Sequence, residues 1–292
     1  MTFSTPASEL IRRRVSCRSY RITSLSGELT AQIQAAIAAL PPAPFGSANR
    51  FVLIAADDED RSALRGLGTY GFIRNPAAFL IGAGAEAPSS LEDFGYSMEW
   101  LVLQVTALGL GSCWLGGSFT RSSFAGKITA QKDEIIPAVV ALGHPAEAAG
   151  LMGRAIQQQV GAGQRLGWDT LFFEGGFGTP LSRQQAGQYA EALEMVRLAP
   201  SASNKQPWRV VLAGDRLHFY RQRTPGYGDS WLNRLLGVAD MQRVDLGIAL
   251  CHFELSAAEA GLPGRWRVDD PHLPLPNALT EYVGTWMSGK RE

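Results

Sequence analysis

The residues from Ala199 to Trp208 read Ala-Pro-Ser-Ala-Ser-Asn-Lys-Gln-Pro-Trp, a stretch of small, hydroxyl and amide side chains with two prolines and a tryptophan. Small residues let a backbone come close to a flat ligand, and Ser and Asn can donate and accept hydrogen bonds at the edge of a polar heterocycle. Pro200 and Pro207 stiffen the stretch, so less entropy is lost when it meets a ligand. The same composition also suits an ordinary helix-to-strand loop, because Ser, Asn and Pro are turn formers. A second stretch, Ile11 to Tyr20, alternates Arg14, Ser16 and Arg18. In an extended chain that spacing puts all three on one side. Two guanidiniums and a hydroxyl there suit a phosphate or a carboxylate, whose oxygens Arg matches bidentately. A cluster of arginines such as Arg12, Arg13, Arg14 and Arg18 equally suits a solvated basic helix.

The elements that must carry these residues follow from hydrophobic period and punctuation. Helices are expected over Pro6–Arg14, Ser26–Leu40 (ended by Pro41-Pro42), Glu59–Leu67 and Ser90–Leu108, the last apolar and ended by Gly109. Strands are expected over Arg50–Ala56, Ala77–Gly82, Ser112–Leu115 and Ile136–Leu142, the last preceded by a small helix. A helix over Met152–Gly161 would join two halves. The second half reads as helix (Leu181–Leu198), strands (Arg209–Leu212, Leu217–Arg221), a long helix (Met241–Ala260) and a strand (Arg265–Val268). Gly214-Asp215 is a hairpin signal. The tail from Pro271, with three prolines, reads as irregular chain wrapping the other half.

Together the two chemical stretches resemble the FMN-dependent nitroreductase family. Its members carry an Arg-Arg-Ser-x-Arg-x-Tyr/Phe motif for the flavin phosphate and a Pro-Ser-x-x-Asn-x-Gln-Pro-Trp loop that meets flavin from the partner subunit. Pro200 to Trp208 matches the second motif throughout, whereas Arg14 to Tyr20 matches the first with Val15 in place of the second Arg. Gly109 to Gly117 resembles the family segment whose backbone lies beside the flavin ring, and Ala141-Leu142-Gly143-His144-Pro145 its Gly-Tyr-Pro strand end. The resemblance implies that FMN carries the redox chemistry, with the protein binding and tuning it. On that basis Arg14, Ser16 and Arg18 hold the phosphate. Gly116 and Gly117 offer N–H groups near the reactive ring nitrogen, and Pro200, Ser201 and Asn204 meet the pyrimidine edge. Arg165 stands where relatives often have a basic residue, and either completes the phosphate grip or is a surface charge. Arg121 is a weaker candidate of the same kind. Lys205 faces flavin or solvent, and Tyr70 could approach the flavin edge, although turn packing explains it as well.

The motif order is unusual, because relatives place the Pro-Ser-x-x-Asn loop soon after the Arg-Ser motif. Here that position holds Pro44-Phe45-Gly46-Ser47-Ala48-Asn49, without the Gln-Pro-Trp end. An internal repeat accounts for this. Asp93, Gly95, Gly109 and Trp114 recur at Asp245, Gly247, Gly261 and Trp266, each about 152 residues on. A two-fold interface needs the same patch on both subunits; fusing two copies lifts that demand, and each half can lose one half-site. The expected architecture is α+β, nitroreductase-like, with an internal repeat forming a single-chain pseudo-dimer. Residues 1–175 would carry the phosphate grip and the Gly-rich segment. Residues 176–292 would form a second, shortened half carrying the flavin loop. The expected function is an FMN-dependent oxidoreductase passing electrons from NAD(P)H, as co-substrate, to a small-molecule acceptor such as a nitroaromatic or quinone. A non-catalytic flavin or ligand carrier is the alternative, and a structural protein without cofactor a third reading.

The chain has 292 residues with 27 basic and 27 acidic side chains, so its formal net charge is zero. That argues against nucleic acid or an anionic membrane as partner. Three scattered cysteines, Cys17, Cys113 and Cys251, suit neither a disulfide framework nor a zinc site. Cys113 reads as a packed thiol rather than a nucleophile. His144, His218, His252 and His272 show no ligand spacing, so no metal is expected. Neither a Gly-x-Ser-x-Gly nor a Gly-x-Gly-x-x-Gly motif occurs, which disfavours a serine hydrolase of that type and a Rossmann domain. No apolar run is long enough to span a membrane and no signal peptide is evident, so a cytoplasmic protein is expected, able to work as a monomer.

Overall fold

The structure is a computed structural model that describes residues 3–56, 64, 67, 69, 71–117, 119–146, 164–227 and 238–289. The helix expected over Met152–Gly161, most of that over Glu59–Leu67, and Tyr70 lie outside the described residues.

The first half runs α1 (Ala7–Arg13), α2 (Gly27–Ala38), β1 (Asn49–Ala55), β2 (Ala78–Ala85), α3 (Ser90–Ala107), β3 (Gly111–Leu115), α4 (Arg121–Ile128), β4 (Glu134–Ile135) and β5 (Val139–Gly143). The chain continues with α5 (Trp168–Leu171), β6 (Phe172–Glu174), α6 (Arg183–Ala186), α7 (Ala190–Leu198), β7 (Trp208–Ala213) and β8 (Arg216–Gln222). Last come α8 (Met241–Glu259), β9 (Gly264–Arg267) and β10 (Thr280–Ser288).

The sheets repeat one topology. The first is ordered β1-β2-β5-β3, with β4 pairing β2; the second is β6-β7-β8-β10-β9. In both, the last strand in sequence lies between two strands that a long helix joins: β5 between β2 and β3, and β10 between β8 and β9. β6 adds a parallel strand to β7, in the register Phe172 to Val210. The second sheet therefore takes in Phe172–Glu174, from ahead of residue 176.

The two long helices cross where each carries its repeat glycine. A Cβ on Gly95 would lie 2.1 Å from the Val244 carbonyl oxygen, and one on Gly247 would lie 1.9 Å from that of Glu92. Only glycine lets two backbones pass so closely. Arg243 beside the crossing donates to both oxygens of Glu92, at 2.8 and 2.7 Å. Both helices are buried along most of their length. They lie in a core that joins the two sheets, from Phe51, Leu80 and Val140 to Trp208, Phe219 and Trp286. The outer face of the first sheet is covered by Phe124 and Ile128 of α4. In the second half Phe219, Phe253, Trp266 and Trp286 pack edge to face, with ring centroids 5.0 to 5.9 Å apart.

Two expectations are corrected. The single helix over Leu181–Leu198 is broken at Gly187, whose φ of +53° ends α6, and a short 3-10 turn leads into α7. The tail is not irregular throughout: Thr280–Ser288 is an interior strand, held between β8 and β9. The prolines all precede it, and a register shift between Tyr282 and Gly284 breaks the period-two alternation that would have revealed it. Strands β4 and β6 also went unforeseen, being two and three residues long.

Candidate functional site

Beyond α1 the chain turns extended at Arg14, with φ −62° and ψ 122°. Ser16 then bridges Ser112 in parallel, and the Cys17 N–H donates to the Ser112 carbonyl at 2.8 Å. Cys17 and Tyr20 turn into the core, and Tyr20 Oη reaches the Cys17 and Ala141 carbonyls at 2.6 and 3.0 Å. With Cys17 inward, the strand alternation sends Ser16 and Arg18 to the other side. This stretch is therefore pinned beside β3, not left as a solvated helix. Burial pushes the Cys113 thiol up to about 11, although Arg18 and Arg14 both pull it down. A thiol so raised is a packing group at neutral pH, and both guanidiniums lie within electrostatic reach of it.

β3 ends at Leu115, and Gly116 and Gly117 follow. A Cβ on Gly116 would meet the Met241 side chain at 2.6 Å, whereas one on Gly117 would meet nothing within 4 Å. Arg121 donates to the Gly116 carbonyl at 2.8 Å and stacks over Phe119, so it holds the turn. Met241 opens α8, and Asp245 follows one turn later. The Ala202 N–H points at both Asp245 oxygens, at 2.9 and 3.1 Å. One helix of the second half thus backs the Gly-rich turn of the first half and anchors the loop of its own. Asp93 does the corresponding work in the other half, accepting from the Phe45 and Ser47 N–H groups at 2.9 and 2.7 Å.

The loop from Pro200 to Gln206 is strained. Ser203, Asn204 and Gln206 all have φ between 50° and 53°, a region costly for residues with a Cβ and sustained by surrounding bonds. Ser201 Oγ accepts the Gln206 N–H at 2.9 Å. Gln206 is buried, and its Oε1 accepts from the Leu166 N–H at 2.9 Å. Asn204 Nδ2 donates to the Gln164 carbonyl at 2.8 Å, and its Oδ1 accepts from Arg165 at 2.7 Å. Arg165 also donates to the Leu198 carbonyl at 2.9 Å. Lys205 is exposed.

Arg165 is not a surface charge. Burial lowers it to about 10, and repulsion from Arg14 and Arg197 acts in the same direction. Arg197 is already paired with Glu194 at 2.6 Å. Arg14 is 7% exposed, and its Nε has no hydrogen-bond partner; the nearest carboxylate, Glu99, is 3.7 Å away. Arg14 and Arg165, from distant stretches, thus lie within electrostatic reach of each other, and Arg165 in turn touches Asn204. Two partly desolvated positive charges of this kind favour an anion. Residue types and motif matching named Arg14, Arg165 and the loop as candidates. They did not assign Asp245, Gln206, Met241 or Glu99 to the site, although Asp245 was already conspicuous as a repeat residue.

Two sheets of like topology packed about two long helices that cross at paired glycines make up the fold. The chain belongs to the family described as "Putative TM nitroreductase", whose model matches residues 7–257. A putative nitroreductase from Thermotoga maritima shares the fold over 97% of this chain and 94% of its own, at 17% identity and TM-score 0.59. An FMN-dependent nitroreductase from Clostridium difficile R20291 aligns with 47% of this chain and 87% of its own, at 17% identity and TM-score 0.39. A putative nitroreductase in complex with FMN from Desulfovibrio desulfuricans aligns with 49% and 88%, at 24% identity and TM-score 0.40. No curated protein matches the chain. Among the described residues, no helix is long and apolar enough to cross a membrane.

Proposed function

We propose that this protein is an FMN-dependent oxidoreductase that takes electrons from NAD(P)H and passes them to a small electron-poor acceptor. The observation that carries this reading is the buried Arg14, whose Nε makes no hydrogen bond, within electrostatic reach of Arg165, which holds Asn204 in the loop of the matching motif. Arg14, Ser16, Arg18 and Arg165 would hold the flavin phosphate. The buried Arg14 Nε without a partner fits that role. Gly117, open where a side chain would stand, leaves room for a ring, and Gly116 is backed by Met241. Pro200 and Ser201 would meet the ring; the Ser201 hydroxyl, accepting from Gln206, keeps its own hydrogen to donate. Asn204 would act at the same edge while orienting Arg165. When bound, FMN supplies the redox chemistry, alternating between a nicotinamide donor and an acceptor such as a nitroaromatic or quinone.

The halves are taken as residues 1–175 and 176–292, each giving one part of a single site, so one chain suffices and a cytoplasmic monomer can act. The corresponding second site would lie at the loop held by Asp93. There the Phe45 ring packs 2.9 Å from the Cβ position of Gly284. One FMN per chain is expected.

The test is the visible spectrum of the purified protein, before and after addition of FMN and desalting. Retained flavin bands at one equivalent per chain support the reading. Two equivalents would refute the single site, and a colourless protein that rejects FMN would remove the oxidoreductase assignment. Anaerobic bleaching by NADH or NADPH, followed by rapid reoxidation with a quinone, would support catalysis. Slow reoxidation by every acceptor would favour a flavin carrier instead.

A further inference from the structure

Behind Arg14 lies a polar group set that the proposed chemistry does not use. Glu99 on α3 and His252 on α8 are both fully buried. Glu99 Oε2 accepts from Trp114 Nε1 at 2.8 Å, and its Oε1 is 3.0 Å from His252 Nε2 and 3.7 Å from Arg14 Nε. His252 Nδ1 is 3.0 Å from the Met195 carbonyl oxygen, on α7.

The hydrogens can be placed from these partners. A carbonyl oxygen only accepts, so Nδ1 carries a hydrogen. Nε2 then faces a carboxylate oxygen, and a bond at 3.0 Å needs one more hydrogen between them. Whether that hydrogen rests on nitrogen or on oxygen, the pair as a whole is neutral. The positive charge of Arg14 is therefore not cancelled by the carboxyl group beside it. The repeat sharpens the point. Trp266 Nε1 also donates to a glutamate, Glu254, at 2.7 Å. Under the shift of about 152 residues, however, Glu254 corresponds to Val102, and Glu99 to Cys251. The half that carries Arg14 is the half whose carboxylate reaches it.

We infer that His252 is a positioning residue of the anion site: it supplies the hydrogen that offsets Glu99, so that Arg14 remains available to an anion. The second half thereby sets the charge of a grip that belongs to the first. The inference rests on the reading of Arg14 as a phosphate-holding residue.

FMN and riboflavin distinguish a phosphate effect from a general one, because riboflavin lacks the phosphate. The expected result is that His252→Gln weakens FMN about tenfold, by leaving Glu99 uncompensated beside Arg14, and leaves riboflavin unchanged. Glu99→Gln combined with His252→Gln should recover most of the loss, since no net charge is left to offset. A merely structural histidine would weaken both flavins and would not be rescued by the second change; either outcome overturns the inference while the FMN reading stands. If the unaltered protein binds neither flavin, the FMN reading itself fails, and this inference with it. Should His252→Gln not fold, the proton spectrum of the unaltered protein decides. A far-downfield resonance shared by His252 and Glu99, absent from Glu99→Gln, is expected, and its absence in the unaltered protein would overturn the inference.

Discussion

Replacing Gly247 by alanine tests the central geometry. The added methyl would stand 1.9 Å from the Glu92 carbonyl oxygen and 2.7 Å from the Tyr96 nitrogen, whereas ordinary contact begins at 3.4 Å. Both obstacles are helix backbone, which cannot swing aside as a side chain can. The helices must therefore part by about 1.5 Å, at a cost near the upper end of overpacking, about 3 kcal/mol. Alanine returns about 1 kcal/mol through its helix propensity, so the net loss is about 2 kcal/mol. For a chain of this size that lowers the melting temperature by about 5 °C. Urea denaturation followed by far-ultraviolet circular dichroism measures it directly. Met241 and Asp245 stand within two turns of the crossing, so FMN affinity should fall in the same variant. Gly95→Ala combined with Gly247→Ala should cost less than the sum, because one separation relieves both clashes. Gly117→Ala, in open space, is the neutral control for stability. An unchanged or raised denaturation midpoint for Gly247→Ala would refute the reasoning, because it would mean that the backbones do not touch.

Other outcomes follow from the site. Arg14→Ala with Arg18→Ala should weaken FMN about a hundredfold, from the loss of two charge-assisted contacts, with little change in melting temperature; normal flavin occupancy would refute the grip. Asp245→Ala should free the Ala202 N–H, cost about 2 kcal/mol in denaturation, and weaken flavin binding by loosening the loop. Burial raises the Asp245 carboxyl well above its usual range, despite the Ala202 N–H. Its folded form thus holds a proton more tightly than the unfolded chain does, and that stability is lost as pH rises above about 4 through the folded value. Asp245→Asn should flatten this loss in a series of melts against pH. Glu134 has the opposite sign: its hydrogen bond with Arg50 lowers it from 4.5 to about 2. The stability it confers is present above pH 4.5 and lost as pH falls toward 2, so Glu134→Gln should be less acid-sensitive over that window.

Much of the fold was legible because its signals are local. Pro41-Pro42 and Gly109 mark helix ends that the structure places at Ala38 and Ala107. Apolar runs marked β2, β5 and both long helices. The strands that went unread carried no local signal. Phe172–Glu174 is too short to show a period, and Thr280–Ser288 holds its alternation only on either side of a bulge. The broken helix at Gly187 looked continuous because residues on both sides of it are good helix formers.

Residue types and spacing by themselves determined the family resemblance, the internal repeat and most of the named site residues. These depend on short stretches whose members are neighbours along the chain. Tertiary structure alone decided which distant groups meet. That Arg165 holds Asn204, that Asp245 anchors Ala202, and that His252 faces Glu99 are set by tertiary packing, the last across two helices that cross at paired glycines. Contacts of this kind join residues dozens to more than a hundred positions apart, and their chemistry is set by burial. No pattern along the chain records how much water a side chain will lose.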